Sequence, residues 1–295
     1  MAANTDFADR LEVFFGDAND AISHVYARLR GSEAVEGWQL AGSLTGPSCL
    51  YAETLPATFS FVDRGPGKSL LAEALVPEPC FWTPDMPQQY RAKLQLRQDG
   101  RVVASAERSI GLRTLGAHGR KLIYDGKRWV LRGICKDELP AIRLADWREG
   151  CAAMVVYSPD DALCQEASRV GVLIVAQLDA PNVTEIQRLS RWPAVAIVGL
   201  PSKSAIDLQG LAHNLLLAER FAPGQPVEPA PWAQIAICET SHDQAIESRT
   251  AQCPLPIIAT RIGCQELSTI AEGRALCDLL QRDLAGRVEV SGYIV

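Results

Sequence analysis

GCAAMVVYSPDDALCQEASRVGVLIVAQLD (150–179) carries two short apolar runs, CAAMVV (151–156) and GVLIVAQL (171–178), on either side of an amphipathic stretch, DDALCQEASRV (160–170). A run that is apolar on both faces reads as a parallel strand covered by helices, because only a strand buried on both sides can dispense with polar alternation. The same texture extends in both directions. WVLRGI (129–134) precedes it, and AVAIVGL (194–200), AQIAIC (233–238), LPIIAT (255–260) and VEVSGYIV (288–295) follow. AIDLQGLAHNLLLAERF (205–221) reads as a further amphipathic helix with His213 in its middle. Seven strong runs, with QPVEPA (225–230) as a doubtful eighth, fit a (β/α)8 barrel, and a flat doubly wound sheet is the runner-up on periodicity. Residues 120–295 fall short of the roughly 250 of an ordinary barrel, so short loops and a shallow cleft at the strand C-termini are expected.

Upstream of about residue 117 the texture is different. Short alternating runs are broken by Gly and Pro: HVYARLRG (24–31), GWQLAGSL (37–44), ATFSFVD (57–63) and SLLAEALV (69–76). In YRAKLQLRQDGRVVASAERSI (90–110), Gln98-Asp99-Gly100 separates two alternating arms, a strong hairpin signal. Ala92, Leu94 and Leu96 share one face of the first arm, and Arg91, Lys93, Gln95 and Arg97 share the other. Several such strands predict an immunoglobulin-like β-sandwich over 1–117, followed by a TIM-type barrel over 118–295. The first twenty residues read as a loose tail or an edge strand, LEVFF.

Composition excludes several function classes. Hydrophobic residues at 47% and charged residues at 22% describe a globular chain. Twenty-nine basic against 35 acidic residues give a net charge of −6, the wrong sign for a nucleic-acid binder. No apolar run reaches the roughly 18 residues of a membrane span, and the acidic start lacks a secretory leader, so a cytoplasmic chain is expected. The nine cysteines include no C-x-x-C pair. They read as small buried thiols in a reducing compartment, with no metal site and no cofactor. Gly65-Pro66-Gly67-Lys68-Ser69 lacks the first glycine of a phosphate loop, where Val62 stands, and reads as a tight turn.

CFWTPDMPQQYRAKLQLRQDGRVVASAERSIGLRTL (80–115) resembles the immunoglobulin-like domain of glycoside hydrolase family 2, the β-galactosidase, β-glucuronidase and β-mannosidase group. Trp82, Pro84, Pro87 and Tyr90 match its W-[ST]-P-x-x-P-x-x-Y segment, and Gly111, Leu112, Arg113 and Leu115 match its G-[FIL]-R-x-[IL] strand. YDGKRWVLRGICKDE (124–138) is similar to the stretch that opens the family's barrel, through Asp125-Gly126-Lys127 and Leu131-Arg132-Gly133. The resemblance runs from about residue 80 onward. It implies a truncated relative that begins with the immunoglobulin-like domain, without the family's sugar-binding jelly roll.

The resemblance also implies a chemistry, and the residues that would perform it are replaced. A retaining glycosidase needs two carboxyl groups about 5–5.5 Å apart, one acid/base and one nucleophile. The family's acid/base Glu closes a G-N-E tip after strand four; WPAVAIVGLPSK (192–203) ends instead in Pro201-Ser202-Lys203. The nucleophile Glu closes strand seven; in LPIIATRIG (255–263) that position is Arg261. Cations can neither attack the anomeric carbon nor donate a proton at the required pKa. At strand one the family's Asn and His are Cys135 and Asp137, with Glu138 retained, and strand three ends in Ala176-Gln177.

The expectation is therefore a catalytically inactive glycosidase-like protein, with Lys203, Arg261, Ser202, Glu138, Asp137, Glu239, His242 and Asp179 as candidate binding residues around the mouth. The expected occupants are a carbohydrate or small anion, and a protein partner or a second copy of the chain; nucleic acid and membrane are not expected. The rival reading is an active O-glycosidase with relocated carboxylates, Glu239 with Glu138 or Asp179. Glu239-Thr240-Ser241-His242-Asp243 also fits a plain helix N-terminus, with Thr240 or Ser241 capping. If Lys203 and Arg261 converge, an acid at Glu239, Glu138 or Asp179 is expected to offset them, unless an anionic ligand does so.

Overall fold

The structure, a computed structural model, describes residues 2–31, 36–139, 141–202, 207–240, 246–261 and 267–295. The chain folds as two compact units, Met1–Arg113 with Arg191–Pro193, and Thr114–Ser190 with Ala194–Val295.

In the first unit a helix, α1 (Ala2–Arg10), leads into seven strands: β1 (Leu11–Ala18), β2 (Ile22–Leu29), β3 (Trp38–Ser48), β4 (Ala57–Asp63), β5 (Leu70–Pro77), β6 (Gln89–Gln98) and β7 (Arg101–Ile110). They form one antiparallel sheet in the order β1-β2-β5-β4-β3-β6-β7. The sheet is curled and sandwich-like around one core that includes Leu11, Val25, Leu40, Leu44, Ala72, Tyr90, Leu94 and Leu112. Strict alternation makes this possible, since β2 buries every second residue. Ala92, Leu94 and Leu96 of β6 are likewise buried, while Arg91 and Lys93 face solvent. Of the two readings of residues 1–20, the loose tail is overturned: LEVFF is the edge strand β1, and α1 precedes it.

Asp99 and Gly100 turn the β6–β7 hairpin with φ of 49° and 79°. Two consecutive left-handed residues match the right-handed twist of the arms, which explains the Asp-Gly pair. Gly65–Ser69 lies in the β4–β5 connection, where Asp63 Oδ1 accepts the Gly65 N–H at 2.7 Å.

Across β2 and β5, His24 Nδ1 donates to Glu73 Oε1 at 2.6 Å, and Arg64 lies 3.1 Å from Glu73 Oε2. The hydrogen bond from His24, aided by Arg64, holds the Glu73 carboxyl below its ordinary value of 4.5. A depressed carboxyl contributes stability above its unfolded pKa, and that stability is lost as pH falls through the folded value. The first unit should therefore weaken below about pH 4.5. Glu73→Gln should lower stability at neutral pH and flatten that part of a stability-versus-pH curve, leaving the acid end nearly unchanged.

The second unit begins with a small antiparallel meander, β8 (Gly116–His118), β9 (Lys121–Tyr124) and β10 (Lys127–Trp129). Eight parallel strands then close into a barrel: β11 (Leu131–Cys135), β12 (Ala153–Tyr157), β13 (Ile174–Gln177), β14 (Val195–Pro201), β15 (Leu216–Phe221), β16 (Ile235–Glu239), β17 (Ile257–Thr260) and β18 (Gly292–Ile294). Each pairs with its successor, and β18 closes on β11. The described helices are α2 (Leu144–Glu149), α3 (Asp161–Val170), α4 (Val183–Leu189), α5 (Ile246–Thr250) and α6 (Ile270–Leu284). Asp160 caps α3 by accepting the Leu163 N–H, and left-handed Gly171 ends it.

The fifth strand departs from the sequence expectation. Residues 205–221 are not one helix, since Leu216–Phe221 is β15 and His213 lies exposed in a bend. QPVEPA (225–230) is not the strand but part of the β15–β16 connection. Leu216, Leu217, Ala218 and Phe221 are all buried, which only a strand covered on both faces achieves here. Among the described residues no helix joins β14 to β15 or β15 to β16, so the barrel is closed but only partly wrapped in helices. No described helix is long and apolar enough to cross a membrane.

Candidate functional site at the barrel mouth

Register settles which side chains face the lumen. A Cβ on Gly199 of β14 would lie 3.3 Å from Ile237 Cδ1 of β16 and 3.5 Å from Arg220 Cδ of β15. Strands two apart meet only across the interior, so Gly199, Arg220 and Ile237 point inward. Residues paired across parallel neighbours share a face, and faces alternate along each strand. The C-terminal layer of the lumen is therefore Cys135, Tyr157, Gln177, Arg220, Glu239 and Thr260.

Arg220 occupies the middle of this layer. Its side chain passes over Gly199, where the missing Cβ leaves room, and reaches two strands away. Nη1 donates to Gln177 Oε1 at 3.0 Å and to the Tyr157 hydroxyl at 3.4 Å, and Nη2 donates to the Leu178 carbonyl at 2.6 Å. The guanidinium carbon sits 5.7 Å from the Tyr157 ring centre. Gln177 is buried, whereas Tyr157 keeps 45% of its surface exposed.

A second arginine fastens the rim. Arg249 of α5 donates to the carbonyls of Gln225, Glu239 and Ala222 at 2.8, 2.9 and 2.6 Å, tying the segments after β15 and β16 together. Gln225 Nε2 donates to Ser202 Oγ at 2.7 Å, which adds the tip of β14.

The candidates named from sequence are scattered by comparison. Glu239 faces the lumen and is exposed, and Asp137 and Asp179 are exposed just beyond β11 and β13. Ser202 belongs to the rim. Arg261 pairs with Asp283 of α6 at 2.9 Å. Its counter-charge is thus none of the three acids expected to supply it. Lys203, His242 and the Glu138 side chain lie outside the described residues. Arg220, Tyr157 and Arg249 escaped the sequence reading altogether.

Burial pushes the Cys164 and Cys238 thiols up to about 12 and Cys277 up to about 11, which makes them poor nucleophiles. Cys151, expected among the buried thiols, is exposed. Among the described residues no group of three or more His, Cys, Asp or Glu is placed to hold a metal.

Residues 51–113 match the family described as Glycosyl hydrolases family 2. The fold of the chain is similar to that of a glycosyl hydrolase family 2 member from Bacteroides cellulosilyticus (14% identity, 97% of this chain and 45% of that one, TM-score 0.62). It is also similar to the β-glucuronidase of Bacteroides uniformis (16%, 98% and 45%, TM-score 0.60) and to a β-glycosidase from Bacteroides vulgatus (13%, 86% and 38%, TM-score 0.59). At these identities the likeness establishes the fold. The chain spans less than half the length of these three structures. No match is found among curated proteins.

Proposed function

We propose that this protein is a catalytically inactive glycosidase-like protein whose barrel mouth binds rather than cleaves. On this reading the first unit corresponds to the family's immunoglobulin-like domain and the second to a shortened TIM-type barrel. The observation that carries the proposal is what stands in the lumen and at the position aligned with the family's nucleophile. A guanidinium, Arg220, lies across the lumen, and Arg261, aligned with the family's nucleophile, is engaged by Asp283 on α6. Neither group can act as nucleophile or proton donor at neutral pH. The fold is kept while the chemistry is not, which suits a carbohydrate, anion or protein ligand held at the strand C-termini.

A panel of aryl β-glycosides should show no turnover above the buffer rate. Glu239 is the carboxylate of the lumen layer. Turnover by the native chain that disappears in Glu239→Gln would replace this reading with that of an active glycosidase using relocated carboxylates.

A further inference from the structure

We propose that Arg220 anchors a site for a small monocarboxylate at the barrel mouth, with the ring of Tyr157 as its flank. The proposal rests on the non-catalytic binding reading above and names the ligand chemistry. The guanidinium has five N–H donors. Those that are engaged meet a side-chain amide, a peptide carbonyl and a phenol, all of them neutral. Among the described residues no carboxylate forms an ion pair with Arg220.

Elsewhere in this unit the arginines of partly buried ion pairs have acids. Arg132 meets Asp278, Arg188 meets Glu185 and Asp161, and Arg261 meets Asp283. At the C-terminal end of the barrel Arg220 has no such acid among the described residues, and Arg249 is likewise held by carbonyls alone. A half-buried cation without a counter-ion carries an uncompensated desolvation cost. Glu239 faces the same lumen from β16, but Arg220 extends the opposite way, toward β12 and β13. The neutral acceptors fix the fork and leave its charge undischarged, which is the arrangement that a bidentate carboxylate completes. One fixed fork suits one oxyanion of charge −1, and the half-exposed Tyr157 ring offers an apolar body something to lie against.

The probe is benzoate, titrated into the full chain by calorimetry and by thermal melts at constant ionic strength, with benzyl alcohol and sulfate as controls. Benzoate should bind and raise the melting temperature by mass action, and benzyl alcohol should not. Arg220→Met should weaken benzoate at least about tenfold, the loss expected for a charge-assisted pair. Gly199→Val, which crowds the side chain without removing it, should weaken it as well. Arg261→Gln should bind as the native chain does. The site is overturned if benzoate acts no differently from chloride, if Arg220→Met binds it equally, or if sulfate binds more tightly. An inactive chain that ignores benzoate overturns this site alone. A chain that hydrolyses aryl glycosides yet binds benzoate through Arg220 overturns the inactivity alone.

Discussion

Gly42→Ala should leave the first unit without a cooperative fold. Gly42 is central in β3 and is paired on one side with Phe61 of β4 and on the other with Leu94 of β6. A methyl group there would lie 2.0 Å from the Lys93 carbonyl oxygen and 3.0 Å from the Leu94 Cα. Both atoms are backbone, so no side chain can swing away to relieve the overlap. β6 is itself held between β3 and β7, and the clash can be relieved only by prising β3 off the sheet that encloses Leu40 and Leu44. The cost should exceed about 4 kcal/mol, a large share of the ~5–15 kcal/mol by which domains are stable.

Gly100→Ala provides the contrast. That glycine has φ of +79° and nothing within 4 Å of a new Cβ, so only the left-handed strain of about 1 kcal/mol applies. Urea titrations followed by far-UV circular dichroism should show a small shift for Gly100→Ala and no folded baseline from the sheet for Gly42→Ala. A native midpoint for Gly42→Ala would mean that β3 can slide away from Lys93 at little cost.

Double-sided burial is what made most of the barrel legible. CAAMVV, GVLIVAQL, AVAIVGL, AQIAIC and LPIIAT each hold all or most of a strand of the closed sheet. The Asp-Gly hairpin was legible because two left-handed residues leave few alternatives to that pair. The fifth strand was not. Its residues, LLAERF, are mostly strong helix formers, and only tertiary pairing with β14 and β16 makes them extended. The signal that could have found it lies just downstream. Pro223, Pro226, Pro229 and Pro231 cannot donate to a ladder, so the missing strand had to come before them.

Losing β15 as a strand hid Arg220 on its inner face and Glu219 on its outer one. Arg261 was misjudged for a different reason. Alternation along β17 turns Ile258 and Thr260 into the lumen, so the next residue points outward to α6. A family alignment read without that parity places Arg261 at the mouth.

Glu219→Ala should loosen the Pro-rich segment 222–234 and cost about 2–3 kcal/mol, the range for a hydrogen bond to a charged group. Glu219 is 2% exposed on the outer face of β15, and its Oε2 accepts the Ala230 N–H at 2.7 Å. Elsewhere around the barrel a helix can cover such a face. Here an irregular segment does so, burying Val227, Trp232 and Ala233. A segment with four prolines has few N–H groups to fix it in place. The one on Ala230, between Pro229 and Pro231, is taken by the carboxylate. Truncation removes that acceptor and leaves a space beneath the segment, whereas Glu219→Gln keeps an oxygen in place and should cost less. In a unit of this size the loss corresponds to a fall in melting temperature of roughly 4–12 °C. Amide exchange should quicken through 222–234 and spread to the rim, because the carbonyls of Ala222 and Gln225 are two of the three that hold Arg249. Unchanged melting with unchanged exchange would show that Val227 and Trp232 hold the segment by apolar burial alone.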